Sequence, residues 1–462
     1  MLFSGIPFLF YFLPIVVIVY FLTPEKGRNL VLLLASLFFY AWGEPKYLAL
    51  MVFSILAFYG FGLAVGHSAN KKLWLWASVV TAVLLLGIFK YSDFFIGSFN
   101  AAFGLSVPLL KLALPIGISF YTFQCMSYVV DVYRGDTVAQ KNIIHFATYV
   151  SLFPQLIAGP IVRYVDVDKA LEHRPHGLEN LEKGLPRFLI GLGKKVILAN
   201  NLGLLTQVFR EAAAPSVLFY WMYAIAFTLH IYFDFSGYSD MAIGLGRIFG
   251  FRFPENFNYP YISGSITEFW RRWHMTLSYW FRDYVYIPLG GNRVSRPRWV
   301  VNILAVWLLT GLWHGAAWNF VLWGLLFALA LMAEKWIPAL KALPGALRHG
   351  YVLLVVVLSF VLFNAESLSQ AATDIVSLFG AGRLPLSTPE TLYYLRSYGI
   401  LFAISALGAT PLPKRIWQKL AGRATAGRVL AAVQPIALAL LLLICTAYLV
   451  DGSFNPFLYF RF

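Results

Sequence analysis

Charged residues are scarce in this chain of 462 residues, since Asp, Glu, Lys and Arg together make up only 12% of it. That share is about half of the share in ordinary soluble domains. Hydrophobic residues make up 60% and aromatic residues 18%, and a soluble fold of this size has too little interior to bury so many apolar side chains. The same composition excludes disordered and fibrous proteins. The sequence therefore predicts an integral membrane protein.

Cysteine is rare in this sequence, and the motifs of common soluble enzymes are absent from it. Only Cys125 and Cys445 occur, both in apolar stretches, so no disulfide framework is expected. The sequence contains no zinc-binding spacing, no P-loop, no Gly-x-Ser-x-Gly elbow and no dinucleotide fingerprint. We therefore expect no bound metal and no resident cofactor. The first apolar stretch lacks the basic region of a cleavable signal peptide, which indicates a retained membrane helix.

The net charge of +15 comes from basic residues in short runs between apolar stretches. Nucleic-acid-binding proteins instead concentrate Lys and Arg on a polar face, so no nucleic-acid partner is expected. The loops 23–28 and 67–72 are basic, whereas the loop 43–46 between them is charge-balanced. Because basic loops stay in the cytoplasm, this alternation predicts an extracytoplasmic N-terminus.

Apolar stretches long enough to form membrane helices occur along the whole chain. A helix needs about 20 apolar residues to cross a hydrocarbon core about 30 Å thick, and several stretches are short enough to be half-helices or re-entrant segments. We therefore predict an all-α polytopic bundle of about 11 spans with re-entrant or interfacial helices. The candidate spans are 6–22, 29–42, 47–66, 73–89, 112–130, 185–209, 217–233, 299–313, 316–333, 350–363, 392–409 and 429–450.

The middle of the chain differs from its two ends. From about Asp131 to Arg298 it mixes charges, Pro, Gly and aromatic residues, a pattern tolerated at membrane depth only where protein or a watery cavity surrounds it. We predict one polytopic domain over 1–462, with N-terminal spans in 1–130, a catalytic core in 131–333 and C-terminal spans in 334–462.

One candidate functional segment, 265–284, combines tryptophans with basic residues. Ser265 and Glu268 have the spacing of a capping box, which predicts a helix beginning there, and Pro288 predicts its end. Arg271, Arg272 and His274 would lie on the sides of this helix away from its tryptophan face. Such a helix is suited either to the membrane interface, with arginines on lipid phosphates, or to the wall of a polar cavity.

A second candidate is the 35-residue stretch 299–333, which contains no Asp, Glu, Lys or Arg but has His314 near its centre. One straight helix of this length would measure about 52 Å, so we expect a break near Gly311 and Gly315. The Gly-x-x-x-Gly spacing also permits close approach of another helix. An ionisable residue in such a stretch indicates a functional site. The alternative is a structural histidine that hydrogen-bonds to Thr310 or Asn319.

These segments resemble the membrane-bound O-acyltransferase superfamily. The similar branch is the bacterial one that contains the membrane subunits of alginate O-acetylation and the teichoic acid D-alanyl transfer proteins, and the motifs look more like the alginate type. The segments that carry the resemblance are 114–124, 131–135, 153–163, 232–242, 254–258, 269–278, 286–293 and 310–319.

The resemblance implies a bundle around a membrane-crossing funnel or tunnel, with His314 as the catalytic histidine and His274 as a second active-site residue. It implies a thioester donor in the cytoplasm, either acetyl-coenzyme A or an acyl carrier protein, and an acceptor outside. It also implies a periplasmic partner of the SGNH-hydrolase type that receives or relays the acetyl group. Family members often end a late helix with Phe-Phe-Arg-Ala, whereas this chain has Asn364 in place of the arginine.

Our hypothesis is therefore an O-acyltransferase that acetylates an extracytoplasmic polysaccharide or a relay protein. His314 would accept the proton of the attacking hydroxyl, and His274 would orient a reactant or hydrogen-bond the oxyanion. Further binding candidates are Arg271, Arg272, Trp313, Trp318, Asn319, Asp234 and Tyr238, and basic residues that would attract an anionic donor include Arg163, Lys194, Lys195 and Arg293. The acceptor stays open among alginate, cellulose, peptidoglycan and other glycans. A competing hypothesis is a polysaccharide exporter or proton-coupled transporter without acyl-transfer chemistry.

Overall fold

The computed structural model describes residues 1–452 and Leu458, apart from the side chain of Lys341. Every regular element in this part of the chain is helical, and no strand occurs in it. An all-helical arrangement satisfies each backbone N–H and C=O group within its own segment, as the interior of a lipid bilayer requires. The predicted all-α fold class is confirmed.

Seven helical segments of the described chain are long and apolar enough to cross a membrane, or eight if one bent pair is a single span. The pair consists of Pro389–Gly408 and Leu412–Ala421, which are bent by 64° relative to each other. The predicted number of about 11 spans is not confirmed, because stretches such as Arg28–Gly43 form helices of only 16 residues. The seven segments are Pro45–His67, Lys71–Phe103, Leu178–Glu211, Val217–Ile248, Trp318–Trp336, Gly345–Asn364 and Ala424–Asp451.

The chain divides into two compact units, of which the first comprises 1–188 and 238–254. In the first unit, the Tyr20 hydroxyl donates a hydrogen bond to the carbonyl oxygen of Phe249 at 2.8 Å. The guanidinium of Arg174 lies over the ring of Phe251, 4.7 Å from its centroid. The helices wholly within this unit include Phe8–Leu22, Arg28–Gly43, Leu48–His67, Lys71–Leu86, Ser92–Phe103, Ile118–Arg134, Ile143–Ser151 and Tyr164–Glu172.

The second unit comprises 189–237 and the described residues from Glu255 onward. Its core contains a helical hairpin made by Arg296–His314 and Trp318–Trp336. The charge-free stretch 299–333 thus forms two helices and not one. The break between them falls at 315–317, as expected. The remaining helices of this unit include Asn200–Glu211, Ile266–Trp270, Met275–Phe281, Gly345–Asn364, Leu368–Leu378, Pro389–Gly408, Leu412–Ala421 and Ala424–Asp451.

Glycines allow the two helices of the hairpin to approach closely. A Cβ atom on Gly311 would collide with the carbonyl oxygen of Phe320, and one on Gly324 would collide with the carbonyl oxygen of Trp307. A side chain on Gly315 would collide with the ring of Phe320. The prediction that the glycines beside His314 permit close helix packing is therefore confirmed.

The predicted continuous helix over 265–284 is wrong. Ser265 does cap a helix, because its hydroxyl accepts a hydrogen bond from the backbone N–H of Glu268 at 3.0 Å, but that helix ends at Trp270. A new helix begins at Met275, after a turn that ends at His274. The turn forms because the chain around Asn256 competes for its backbone: Asn258 N–H donates to the Arg272 carbonyl, and Met275 N–H donates to the Asn256 carbonyl, both at 2.9 Å.

Candidate active site

The structure brings His274 and His314 together in the second unit, with 6.4 Å between their ring centroids. His314 is the last residue of the helix Arg296–His314, and His274 immediately precedes the helix Met275–Phe281. Both side chains are buried, with 0% of His274 and 6% of His314 exposed. Two imidazoles from segments 40 residues apart in the chain thus meet in one desolvated place, which is typical of a catalytic site.

Aromatic rings surround the two histidines. Trp313 contacts both of them, at 5.7 Å from His274 and 5.1 Å from His314 between ring centroids. Phe235 packs edge-on against His274 at 4.7 Å. Trp323 and Phe363 pack against His314 at 5.0 and 5.3 Å. This packing accounts for the burial of both imidazoles.

A fixed tautomer of His274 follows from its contact with Asn256. The His274 Nδ1 atom lies 3.1 Å from the Asn256 Oδ1 atom. The same oxygen accepts hydrogen bonds from the backbone N–H and the hydroxyl of Thr276, at 3.3 and 2.9 Å, so it acts as an acceptor. His274 Nδ1 therefore carries the proton, and in the neutral ring Nε2 is left with a free lone pair.

Burial favours the neutral form of His274. It lowers the pKa of this imidazole well below its usual value, and the neighbouring His314 acts in the same direction. The backbone of His274 is also unusual, with φ 42° and ψ 52° in the left-handed region. Such a conformation costs about 1–2 kcal/mol in a residue other than glycine and persists where surrounding contacts impose it, often at functional sites. The bonds to Asn256 are contacts of this kind.

The other binding candidates have more varied surroundings. Trp313 lies in the histidine cluster, whereas 54% of Trp318 is exposed. Asn319 is buried, and its amide donates to the carbonyl oxygens of Phe363 and Ala365 at 3.3 and 3.0 Å. Asn319 thus holds the end of the helix that carries Phe363. The Thr310 hydroxyl donates to the carbonyl oxygen of Val306. The donor groups of Thr310 and Asn319, the two partners considered for a structural His314, therefore bond to backbone carbonyl groups and not to His314.

Several charged candidates are engaged with other protein groups. Arg272 pairs with Glu268 at 2.9 Å, whereas Arg271 is exposed. Asp234 lies 2.5 Å from the Lys195 ammonium nitrogen, and each of these side chains is only 2% exposed. Tyr238 belongs to the first unit, where its ring stacks on Phe3 with centroids 4.6 Å apart.

Asn364, at the position where the resemblance implies arginine, takes part in a polar network. Its amide donates to the Tyr223 hydroxyl at 2.8 Å. Arg210 donates to the same hydroxyl at 2.7 Å. It also makes a bidentate pair of hydrogen bonds to the Asp374 carboxylate, at 3.0 and 2.6 Å. A guanidinium is therefore present in this network, but it comes from a different helix.

Sequence reasoning missed several residues of the site, namely Asn256, Trp323, Phe363 and Phe235. Asn256 lies in one of the segments that resemble the family, 254–258, which was the one signal available for it. Trp323 and Phe363 reach His314 only because of how the helices pack, and apolar residues within membrane helices carry no distinguishing spacing.

Comparison with known proteins identifies the family of this chain. The sequence model of the membrane-bound O-acyltransferase family matches residues 119–369, which include both histidines. A probable alginate O-acetylase of Azotobacter vinelandii is 39% identical, with all of both chains covered. A second, from Pseudomonas aeruginosa, is 44% identical over 84% of this chain and 76% of the relative. A peptidoglycan O-acetyltransferase of Helicobacter pylori is 36% identical over 84% of this chain and 81% of the relative.

The chain belongs to the membrane-bound O-acyltransferase family. It is a multi-pass membrane protein and an O-acyltransferase, similar throughout its length to bacterial enzymes named as O-acetylases. Family membership favours acyl-transfer chemistry over the competing hypothesis of an exporter or transporter.

Proposed function

We propose that this protein transfers an acetyl group from a cytoplasmic thioester to a hydroxyl of an extracytoplasmic polysaccharide, directly or through a periplasmic relay protein. The observation that carries the proposal is the buried His274–His314 pair, with 6.4 Å between ring centroids. The relatives named for alginate and for peptidoglycan support an acetyl group and a glycan acceptor. Alginate is the acceptor that we test first.

In the proposed reaction, His314 is the general base. The acceptor hydroxyl gives its proton to the His314 imidazole as its oxygen attacks the thioester carbonyl. The tetrahedral intermediate then collapses, the carbon–sulfur bond breaks, and the proton passes from His314 to the departing thiolate. The products are the O-acetyl ester and the free thiol, so the histidine returns to its starting state.

His274 would orient a reactant. Its neutral form offers a lone pair at Nε2, and this atom has no hydrogen-bond partner within the part of the chain that the structure describes. A lone pair accepts a hydrogen bond from a hydroxyl or amide N–H, both of which occur in sugar acceptors and in phosphopantetheine donors. This arrangement supports the orienting role and not the oxyanion role, because a neutral imidazole bonded in this way has no proton to donate at Nε2.

The test supplies radiolabelled acetyl-coenzyme A from outside to inverted vesicles that carry the wild-type protein and were formed with unacetylated alginate enclosed, because the extracytoplasmic face of the protein lines their lumen. Parallel vesicles enclose peptidoglycan fragments instead, and both preparations also enclose periplasmic extract to provide a relay partner. We expect His314→Ala to abolish label transfer. His349→Ala is the matched control, because His349 is a partly buried histidine of another helix that contacts the Ser263 carbonyl at 3.2 Å.

Two results would contradict the proposal. One is transfer of label by His314→Ala at the wild-type rate, which would show that His314 is not the general base. The other is an absence of transfer above empty vesicles in every reaction with the wild-type protein, whether the donor is acetyl-coenzyme A or an acetylated acyl carrier protein.

The proposed orientation has the N-terminus outside the cytoplasmic membrane. Cysteines introduced at Lys71 and Lys414, which are both exposed, should be protected from an impermeant thiol reagent in intact cells. The native Cys125 and Cys445 are buried, which keeps the background low. Rapid labelling of the cysteine at position 71 in intact cells would show that the protein has the opposite orientation.

A further inference from the structure

The proposed reaction needs a hydrogen-bond donor that neutral His274 does not supply. A negative charge develops on the acyl oxygen when a hydroxyl attacks a thioester, and donors directed at that oxygen are often the largest single contribution to catalysis. His274 Nδ1 donates to Asn256, and its Nε2 carries no proton in the neutral ring. Asn256 Nδ2 is a buried donor without a partner among the described residues, but Asn256 contacts His274. A donor that packs on His314 itself, the proposed base, is better placed for the acyl oxygen.

Trp323 has such a donor. Its side chain is only 1% exposed, and its indole Nε1–H has no hydrogen-bond partner within residues 1–452 and Leu458. Its ring packs edge-on against His314, with centroids 5.0 Å apart and an angle of 81° between the ring planes. A buried N–H group without a partner costs about 1–3 kcal/mol, so its position beside the proposed base needs an explanation.

The hairpin geometry fixes the position of this indole. Trp323 lies on the helix Trp318–Trp336, next to Gly324, where a side chain would collide with the facing helix. Phe327, Phe363 and Trp270 contact its ring on other sides, at 5.1, 5.2 and 5.6 Å. The indole is therefore held by packing, and a preorganised donor of this kind needs no rearrangement when charge develops.

We infer that the Trp323 indole N–H donates a hydrogen bond to the carbonyl oxygen of the acyl thioester and to the oxyanion that forms from it. This inference rests on the proposed function. As the acceptor oxygen bonds to the carbonyl carbon, the carbonyl π electrons move onto the oxygen, and the indole N–H stabilises them there. The electrons return when the carbon–sulfur bond breaks, so Trp323 neither gains nor loses a proton.

The experiment compares substitutions that remove the N–H group and keep an aromatic ring. Trp323→Phe is one, and replacement of Trp323 by 3-benzothienylalanine is the other, since sulfur takes the place of N–H while both fused rings remain. Trp307→Phe is the matched control, because Trp307 is also buried and packs on Trp270 and Phe327 in the same cluster. Acetyl transfer is measured in vesicles over a range of donor concentrations.

We expect both Trp323 replacements to lower kcat by about 100-fold, as the loss of one oxyanion donor does. The KM for the donor should rise much less, because the hydrogen bond is stronger to the charged oxyanion than to the neutral carbonyl oxygen. Trp307→Phe should retain near-wild-type kcat. Wild-type kcat in the benzothienylalanine protein would overturn the inference, because any loss in Trp323→Phe would then come from packing. A parallel His314→Ala reaction separates this failure from a failure of the proposed function: if that variant is inactive, the base assignment stands even when the role of Trp323 is rejected.

Discussion

Asn256 Oδ1 and His274 Nδ1 lie 3.1 Å apart, and both side chains are completely buried. The asparagine oxygen also accepts two hydrogen bonds from Thr276. One amide oxygen therefore fixes the tautomer of the histidine and connects it to the first turn of the helix that follows. A histidine in the left-handed region of backbone space would lose much of this support if the amide were removed.

The first prediction concerns Asn256→Ala. A buried hydrogen-bonding group that loses its partner costs about 1–3 kcal/mol, and 1.4 kcal/mol corresponds to a factor of ten in rate. We expect acetyl transfer to fall about tenfold or more, because the His274 ring is no longer held in one tautomer. Thr276→Val should have a smaller effect, since it removes one donor to Asn256 and keeps the bond to His274. Equal losses in the two variants, measured at equal amounts of folded protein, would contradict this account.

The second prediction concerns the buried ion pair of Lys195 and Asp234. Asp234→Asn removes the carboxylate charge that lies 2.5 Å from the Lys195 ammonium nitrogen, and loss of one partner of a buried pair typically costs about 3–5 kcal/mol. The double substitution Lys195→Met and Asp234→Leu removes both charges, so it should recover most of this stability. Thermal unfolding in detergent measures the effect. Glu179→Gln is the control, because its pair with Lys183 is exposed and contributes about 0–1 kcal/mol. If the double variant were as unstable as Asp234→Asn, the loss of the carboxylate charge opposite Lys195 would not be the cause.

The third prediction concerns the helix hairpin that carries His314 and Trp323. Gly324→Ala would push a methyl group into the Trp307 carbonyl, and such overpacking costs about 1–3 kcal/mol. We expect lower thermal stability and reduced acetyl transfer, because the two helices must separate. Gly399→Ala is the control, since a Cβ atom there meets open space in the helix Pro389–Gly408. Identical behaviour of the two alanine variants would show that close packing at Gly324 is unimportant.

How far the sequence predicted the site depended on the kind of signal that each residue carries. His314 stood out because an ionisable residue in a charge-free stretch is rare, and Gly311 and Gly315 marked the break beside it. The segment around His274 was recognised but assigned to one continuous helix. Its capping box was correct, but the competing hydrogen bonds from 256–258 are tertiary contacts that no local pattern reveals.

The charged candidates show the same limit. Asp234 and Lys195 were interpreted as groups available for substrate or donor, whereas in the structure they face each other. Such a pairing depends on the helix Val217–Ile248 packing beside 194–199, which sequence spacing does not specify. Similarly, the polar network around Asn364 joins four helices, so its Arg210 could not be identified from the sequence around position 364.

The fourth prediction concerns this network. Asn364→Arg would place a second guanidinium at the Tyr223 hydroxyl, where Arg210 already donates at 2.7 Å. Two unit charges 4 Å apart repel by about 4 kcal/mol at an effective dielectric constant of 20, so we expect a clear loss of thermal stability. The double variant Arg210→Gln and Asn364→Arg keeps a single cation near Asp374 and should recover much of that loss. Asn364→Gln adds length without charge and serves as the control. If Asn364→Arg proved as stable as Asn364→Gln, charge repulsion would not explain why this chain has asparagine at the position where the resemblance implies arginine.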